Sequence, residues 1–152
     1  EDSFIWKWID LQGVHKMGEE VRKDLKILIV DDMVTMRRIL KKHLISLGFT
    51  NFNEAHDGQK ALNLIKTGIE LGVNFDLIIS DWNMPGMTGL DLLKEIRSME
   101  NEIKDVPFLM ITNETKQGNV VLAVQAGVNG YIGKPFSAHI LYDKIKKLCE
   151  NN

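Results

Sequence analysis

Short apolar runs alternate along this chain with longer stretches in which apolar residues recur every three or four positions. Lys26–Val30, "KILIV", is rich in β-branched residues and bounded by acids, as expected of a parallel strand covered on both faces. Met36, Ile39, Leu40, Leu44 and Leu47 then fall on one helical face, with Arg37, Arg38, Lys41 and Lys42 on the other, and Gly48 reads as the closing glycine. The alternation continues with a strand over 52–55 and a helix over 58–71, through Ala61, Leu62, Ile65 and Ile69. A strongly apolar strand over 76–80 precedes a helix over 89–99, and a strand opened by proline over 107–111 precedes a helix over 116–126. The last pair is a strand over 130–133 and a helix over 137–149. Segment 67–75, ahead of the third strand, is somewhat long and reads as a loop. Repeated strand-then-helix units predict a parallel sheet with helices on both faces.

Composition narrows the partners. The 152 residues suit one domain with a real core, and no Pro/Ser-rich linker divides them. Lys and Arg total 19 against 21 Asp and Glu, so bulk charge gives no reason to expect nucleic acid. The single Cys149 cannot form an internal disulfide, which fits a reducing compartment, and no Cys/His spacing reads as a zinc site. No apolar run approaches a membrane-spanning length, so no membrane partner is expected. His15, His43, His56 and His139 are scattered and carry no motif.

Parallel sheets of this kind bind ligands beyond the carboxyl ends of their strands. Asp31 and Asp32 follow the first strand, Asp81 the third, Thr112 the fourth and Lys134 the fifth. Each has a plainer reading: Asp32 as a helix N-cap, Asp81 as a turn cap, Thr112 as a cap on the next helix, Lys134 as a solvated loop charge. Together they cohere. Clustered carboxylates repel unless a cation sits among them. Donors that are all oxygen suit Mg²⁺. A carboxylate beside Mg²⁺, an ammonium and a hydroxyl can attack a phosphoryl group.

The stretches "ILIVDDMVTMRRIL", "ISDWNMPGMTGLDLLK", "MITNETK" and "VQAGVNGYIGKPF" resemble the receiver domain of two-component response regulators, specifically its single-domain chemotaxis members. The likeness runs over residues 25–152. It implies a flavodoxin-like sheet of order 2-1-3-4-5 with five helices. It also implies that Asp81 accepts a phosphoryl group from a histidine kinase, and that the protein is an acceptor rather than an enzyme. Asp32, Asp81 and the Asn83 carbonyl would hold Mg²⁺, with Asp31 helping through water. Lys134 would bind the phosphate and form a cis bond to Pro135. Thr112 would swing to the phosphate and Tyr131 would move inward behind it. Val120, Tyr131 and Lys144 would lie on the face that meets targets. A flagellar motor switch protein, a dedicated phosphatase, a cytoplasmic location and a monomer are further implications. Trp82, in a polar turn, is expected at the rim of the site.

Two features depart from the pattern. Asn113, after Thr112, is bulkier than the usual residue and would sit over the entry to Asp81. Residues 1–24 lie outside the likeness. They read either as a short amphipathic helix, with Phe4, Trp8 and Leu11 at helical spacing, or as an artefact upstream of a start at Met17. Other functions are a receiver from another two-component pathway or from a larger regulator, a hydrolase of the haloacid dehalogenase type, and a flavodoxin-like carrier. The hydrolase needs a carboxylic acid where Asn83 stands. The carrier needs a glycine- and hydroxyl-rich loop where Asp31-Asp32-Met33 stands.

Overall fold

Strand residues of alternating parity point to opposite faces, and both faces here are apolar. Leu28, Val30, Ile78, Phe108 and Met110 enter one buried cluster, while Ile27, Ile29, Leu77, Ile79, Leu109 and Ile111 enter the other. In the computed structural model, which describes residues 21–150, these strands make a single sheet. The order of elements is β1 (Lys26–Val30), α1 (Val34–Ser46), β2 (Asn51–Ala55), α2 (Gly58–Leu71), β3 (Leu77–Ser80), α3 (Gly89–Arg97), a 3₁₀ turn (Glu102–Asp105), β4 (Phe108–Thr112), α4 (Gln117–Gln125), β5 (Gly130–Gly133) and α5 (Ala138–Glu150). The strands are all parallel in the order β2-β1-β3-β4-β5, the flavodoxin-like arrangement.

Helices α1 and α5 cover one face through Leu40, Leu44, Leu141, Ile145 and Leu148, with Val21 and Leu25 beside them. Helices α2, α3 and α4 cover the other through Ala61, Leu62, Ile65, Leu92, Leu93, Ile96 and Ala123. The loop expected over 67–75 is mostly helix. Helix α2 continues to Leu71 because Ile65 and Gly68 keep its buried line going, and Gly72, at φ +74°, closes it. The amphipathic helix expected within residues 1–24 falls almost wholly outside the described residues.

One side chain staples three segments on the α3 side. The Arg97 guanidinium donates to the carbonyls of Lys104, Val106 and Gly127 and to Asn129 Oδ1, at 2.7–3.1 Å. That fixes the entry to β4 and the turn into β5, and so the frame from which Thr112 and Lys134 project.

Candidate functional site

Strand register brings the predicted residues to one edge. Val30 pairs with Ser80, so Asp31 and Asp81 follow at the same level, and Asp81 N–H donates to the Val30 carbonyl at 2.9 Å. Thr112 pairs with Gly133, and Lys134 N–H donates to the Thr112 carbonyl at 3.0 Å. Asp31 and Asp81 are buried, at 6% and 8% exposure, and Thr112 is fully buried. Lys134 Nζ lies 3.1 Å from Asp31 Oδ2 and 3.3 Å from Asp81 Oδ2. Asp32 is exposed, yet carboxylate oxygens of Asp31, Asp32 and Asp81 lie within 4.8 Å of one another. One ammonium thus faces three carboxylates. Burial pushes the Asp31 carboxyl above its ordinary 3.8, while the Met33 N–H and Lys134 pull the other way. An all-oxygen donor set with surplus negative charge fits a hard divalent cation.

The plainer readings fare unequally. Asp32 is not a helix cap: the N-cap of α1 is Met33, without a side-chain hydrogen bond. Thr112 caps no helix, since α4 begins at Gln117; its hydroxyl accepts from Glu114 N–H at 3.2 Å. Asp81 does cap its own turn, with Oδ1 accepting from Trp82 N–H at 2.7 Å. Lys134 is no solvated charge, its side chain being 9% exposed. The Lys134–Pro135 peptide is cis.

The turn after Asp81 is shaped by two glycines. Gly86 sits at φ +77° behind Pro85. Gly89 opens α3 with its N–H on the Trp82 carbonyl at 2.8 Å, and a Cβ there would lie 2.0 Å from the Asp81 carbonyl oxygen. Thr88 and Asp91 close a capping box around that helix start. Trp82 is a correction. It is not at the rim but packs in the core, 9% exposed and edge-on to Tyr131 at 6.5 Å between ring centroids. The backbone turns at Trp82 while its ring joins the buried apolar cluster on the face that α2, α3 and α4 cover.

Asn83 is exposed, and its amide donates to Glu114 Oε1 at 2.7 Å, tying the loop after β3 to the loop after β4. The other Glu114 oxygen takes Asn119 at 3.0 Å. The Tyr131 hydroxyl donates to the Glu114 carbonyl. Burial raises the Tyr131 pKa, helped by the Glu114 and Asp81 charges. Asn113 is exposed on the same loop. Val120 on α4 and Lys144 on α5 are half-buried on the flanks of β5. Beside them Val121, Leu122, Val124 and Ile140 are exposed, at 45–61%. Periodicity does not single out the three on α4, because residues 120–124 are apolar without a break.

Three contributors escaped the sequence reading. Ser80 Oγ donates to the Asp81 carbonyl at 2.8 Å. Arg37 Nη1 donates to the Asp31 carbonyl at 2.7 Å, and its Nε to Glu54 Oε1 at 3.0 Å. The one available signal was that Arg37 lies on the first turns of the helix that follows the acidic pair. A cavity of about 610 Å³ opens at the opposite edge around Leu25, Phe75, Ile103 and Val106. No comparable set of site chemistry converges there, so the site is placed at the carboxyl edge on chemistry rather than on volume.

Residues 27–146 match the response regulator receiver domain. The chemotaxis protein CheY of Pseudomonas aeruginosa is 53% identical over 126 residues, covering 83% of this chain and 97% of its own. CheY-3 of Vibrio cholerae is 54% identical over 130 residues, covering 86% and 95%. The solved structure of Vibrio cholerae CheY4 superposes with a TM-score of 0.73 at 33% identity, covering 82% of this chain and 98% of that one. With matching sequence, fold and strand order, this chain belongs to the response regulator receiver domain family.

Proposed function

We infer that this receiver is a chemotaxis-type response regulator whose Asp81 carboxylate takes a phosphoryl group from the phosphohistidine of a histidine kinase. An Asp81 oxygen attacks phosphorus, the phosphorus–nitrogen bond breaks, and the imidazole leaves with the electron pair and is protonated. The observation that carries this reading is the Lys134 ammonium, bonded at once to Asp31 and Asp81 at the mouth of a carboxylate cluster. Lys134 holds the nucleophile in place and offers its charge to the incoming oxygens. Asp31, Asp32 and Asp81, with the Asn83 carbonyl, are the residues to hold Mg²⁺. When bound, the ion neutralises the carboxylates and the charge on the transferring group. The protein is an acceptor with slow self-dephosphorylation, not a turnover enzyme.

The hydrogen bonds also support a route outward. The Thr112 hydroxyl accepts from Glu114 N–H, and the Glu114 carbonyl accepts from Tyr131. Drawing that hydroxyl toward a phosphoryl oxygen removes the acceptor from Glu114 and shifts the anchor of Tyr131. Tyr131, Val120 and Lys144 then alter a face already rich in exposed apolar residues. A flagellar motor switch protein is the proposed target and a dedicated phosphatase a further proposed partner, both following from the resemblance to chemotaxis receivers. A cytoplasmic location is proposed on the same resemblance. Among the described residues no helix is long and apolar enough to cross a membrane.

Phosphate incorporation from acetyl phosphate, read by intact mass, tests the acceptor. Asp81→Asn is expected to remain unlabelled. Lys134→Ala should weaken the response to phosphate more than it weakens Mg²⁺ binding, since lysine meets the anion. Labelling of Asp81→Asn at the wild-type level overturns the assignment.

A further inference from the structure

We propose that Arg37 is a positioning residue for the Asp31–Asp32 pair, held in place by Glu54 across the β1–β2 edge. The proposal deepens the metal reading above and rests on it. Strand β1 ends at Val30. Asp31 still gives its N–H to the Ala55 carbonyl at 3.1 Å, but its own carbonyl lies beyond the last rung. A backbone carbonyl left at a partly buried edge needs a donor, and Arg37 Nη1 supplies one at 2.7 Å. The guanidinium is itself aimed. Its Nε bonds Glu54 Oε1 at 3.0 Å, and its side chain is 15% exposed. Glu54 sits in β2 opposite Ile29, and its second oxygen takes Lys41 Nζ at 2.7 Å. That contact, with Arg37, holds the Glu54 carboxyl below its ordinary 4.5, so it is ionised at neutral pH.

The bonded carbonyl belongs to the peptide that joins Asp31 to Asp32. A peptide is planar, so fixing its oxygen fixes the direction in which Asp32 sets out. Asp32 depends on this. Its side chain is exposed, and among the described residues no hydrogen bond or ion pair holds its carboxylate. It also faces the like charges of Asp31 and Asp81, which push it outward. Its aim must therefore come from its backbone. Groups that orient ligands without touching the ion are the usual outer support of a metal site. A role confined to joining α1 to β2 would be shared by Lys41, which meets Glu54 and does not bond Asp31. Lys41→Ala is thus the matched control.

The test uses the full chain in a Trp6→Phe/Trp8→Phe background. Mg²⁺ titration is followed by Trp82 emission, and urea unfolding is measured separately in metal-free buffer. Arg37→Ala is expected to weaken Mg²⁺ binding by about tenfold, the scale typical of an outer-support residue. Arg37→Lys should not restore it, because one ammonium cannot reproduce the fork between Glu54 and the carbonyl. Lys41→Ala should bind as wild type while losing some stability. Wild-type affinity in Arg37→Ala overturns the proposal, as does equal weakening in Arg37→Ala and Lys41→Ala. If Arg37→Ala does not fold, Glu54→Gln decides: weaker binding supports the proposal and unchanged binding overturns it. A wild-type protein that gives no Mg²⁺ response fails the metal reading itself, an outcome separate from wild-type binding with Arg37→Ala unchanged.

Discussion

Gly89 shows how tightly single residues constrain the turn after Asp81. The carbonyl of Asp81 occupies the space where any other residue would carry its Cβ, at 2.0 Å. The obstacle is backbone, so it cannot rotate away. Gly89→Ala must push α3 and the Asp81 peptide apart. We expect a loss of about 3 kcal/mol, the upper end of ordinary overpacking, read as a lower urea midpoint at unchanged slope. A midpoint equal to wild type would mean that the turn has slack. Trp82 teaches the converse. Its polar neighbours in sequence suggested the rim, but the ring follows the buried apolar cluster on that face of the sheet, not the polarity of the turn. At this scale the identities of Asp31, Asp32, Asp81, Thr112 and Lys134 were legible from their places after strands. The aim of Arg37 was not, since its acceptor is a backbone carbonyl, which every residue has.

At the scale of elements, local pattern located nearly every strand and helix, and the ends moved for local reasons. Helix α3 stops at Arg97 rather than 99, with the Ser98 hydroxyl on the Glu95 carbonyl at 2.8 Å. Strand β3 begins at Leu77 rather than 76, and Asp76 bonds Lys26 twice, its carboxylate accepting from Lys26 N–H at 2.9 Å and its own N–H donating to the Lys26 carbonyl at 2.8 Å. The join between α1 and β2 carries a pH signature. Glu54 is held below its ordinary 4.5, first by the Lys41 hydrogen bond and then by Arg37, against burial. A depressed carboxyl pKa contributes stability above the unfolded value, and that stability is lost as pH falls through the folded one. Wild type should exceed Glu54→Gln by about 0.5 kcal/mol at neutral pH, a figure kept small because the pair is partly solvated. The gap should close as pH falls below the ordinary carboxylate range in urea titrations. A gap independent of pH would mean that the ion pairs contribute nothing.

Across the whole molecule, the charge needed at the site opposes folding. Three carboxylates meet one ammonium at an edge where two of the acids are almost out of water. Without a metal ion Lys134 offsets only part of this repulsion. Asp81→Asn keeps the size of the side chain and leaves Lys134 its bond to Asp31. The variant should therefore be more stable than wild type in metal-free buffer, by about 1 kcal/mol, as removal of functional strain commonly gives. Mg²⁺ should narrow or invert the difference, because it stabilises only the protein that binds it. Chemical unfolding with and without Mg²⁺ measures both. A less stable Asp81→Asn protein would place the main cost elsewhere.

The sequence by itself determined the repeating units, the parallel sheet and the residue types offered at its carboxyl edge. These follow from periodicity and from what comes next along the chain, which are local properties. The known family pattern supplied the strand order. Only the tertiary structure decided that Asp31 and Asp81 are buried while Asp32 is exposed, that Lys134 reaches across 103 residues of sequence to Asp31, and that Arg37 holds the Asp31 carbonyl. Those outcomes depend on the register between strands and on the angle at which α1 leaves β1. Both are set by burying side chains from elements far apart in the chain, and no window of sequence contains that information.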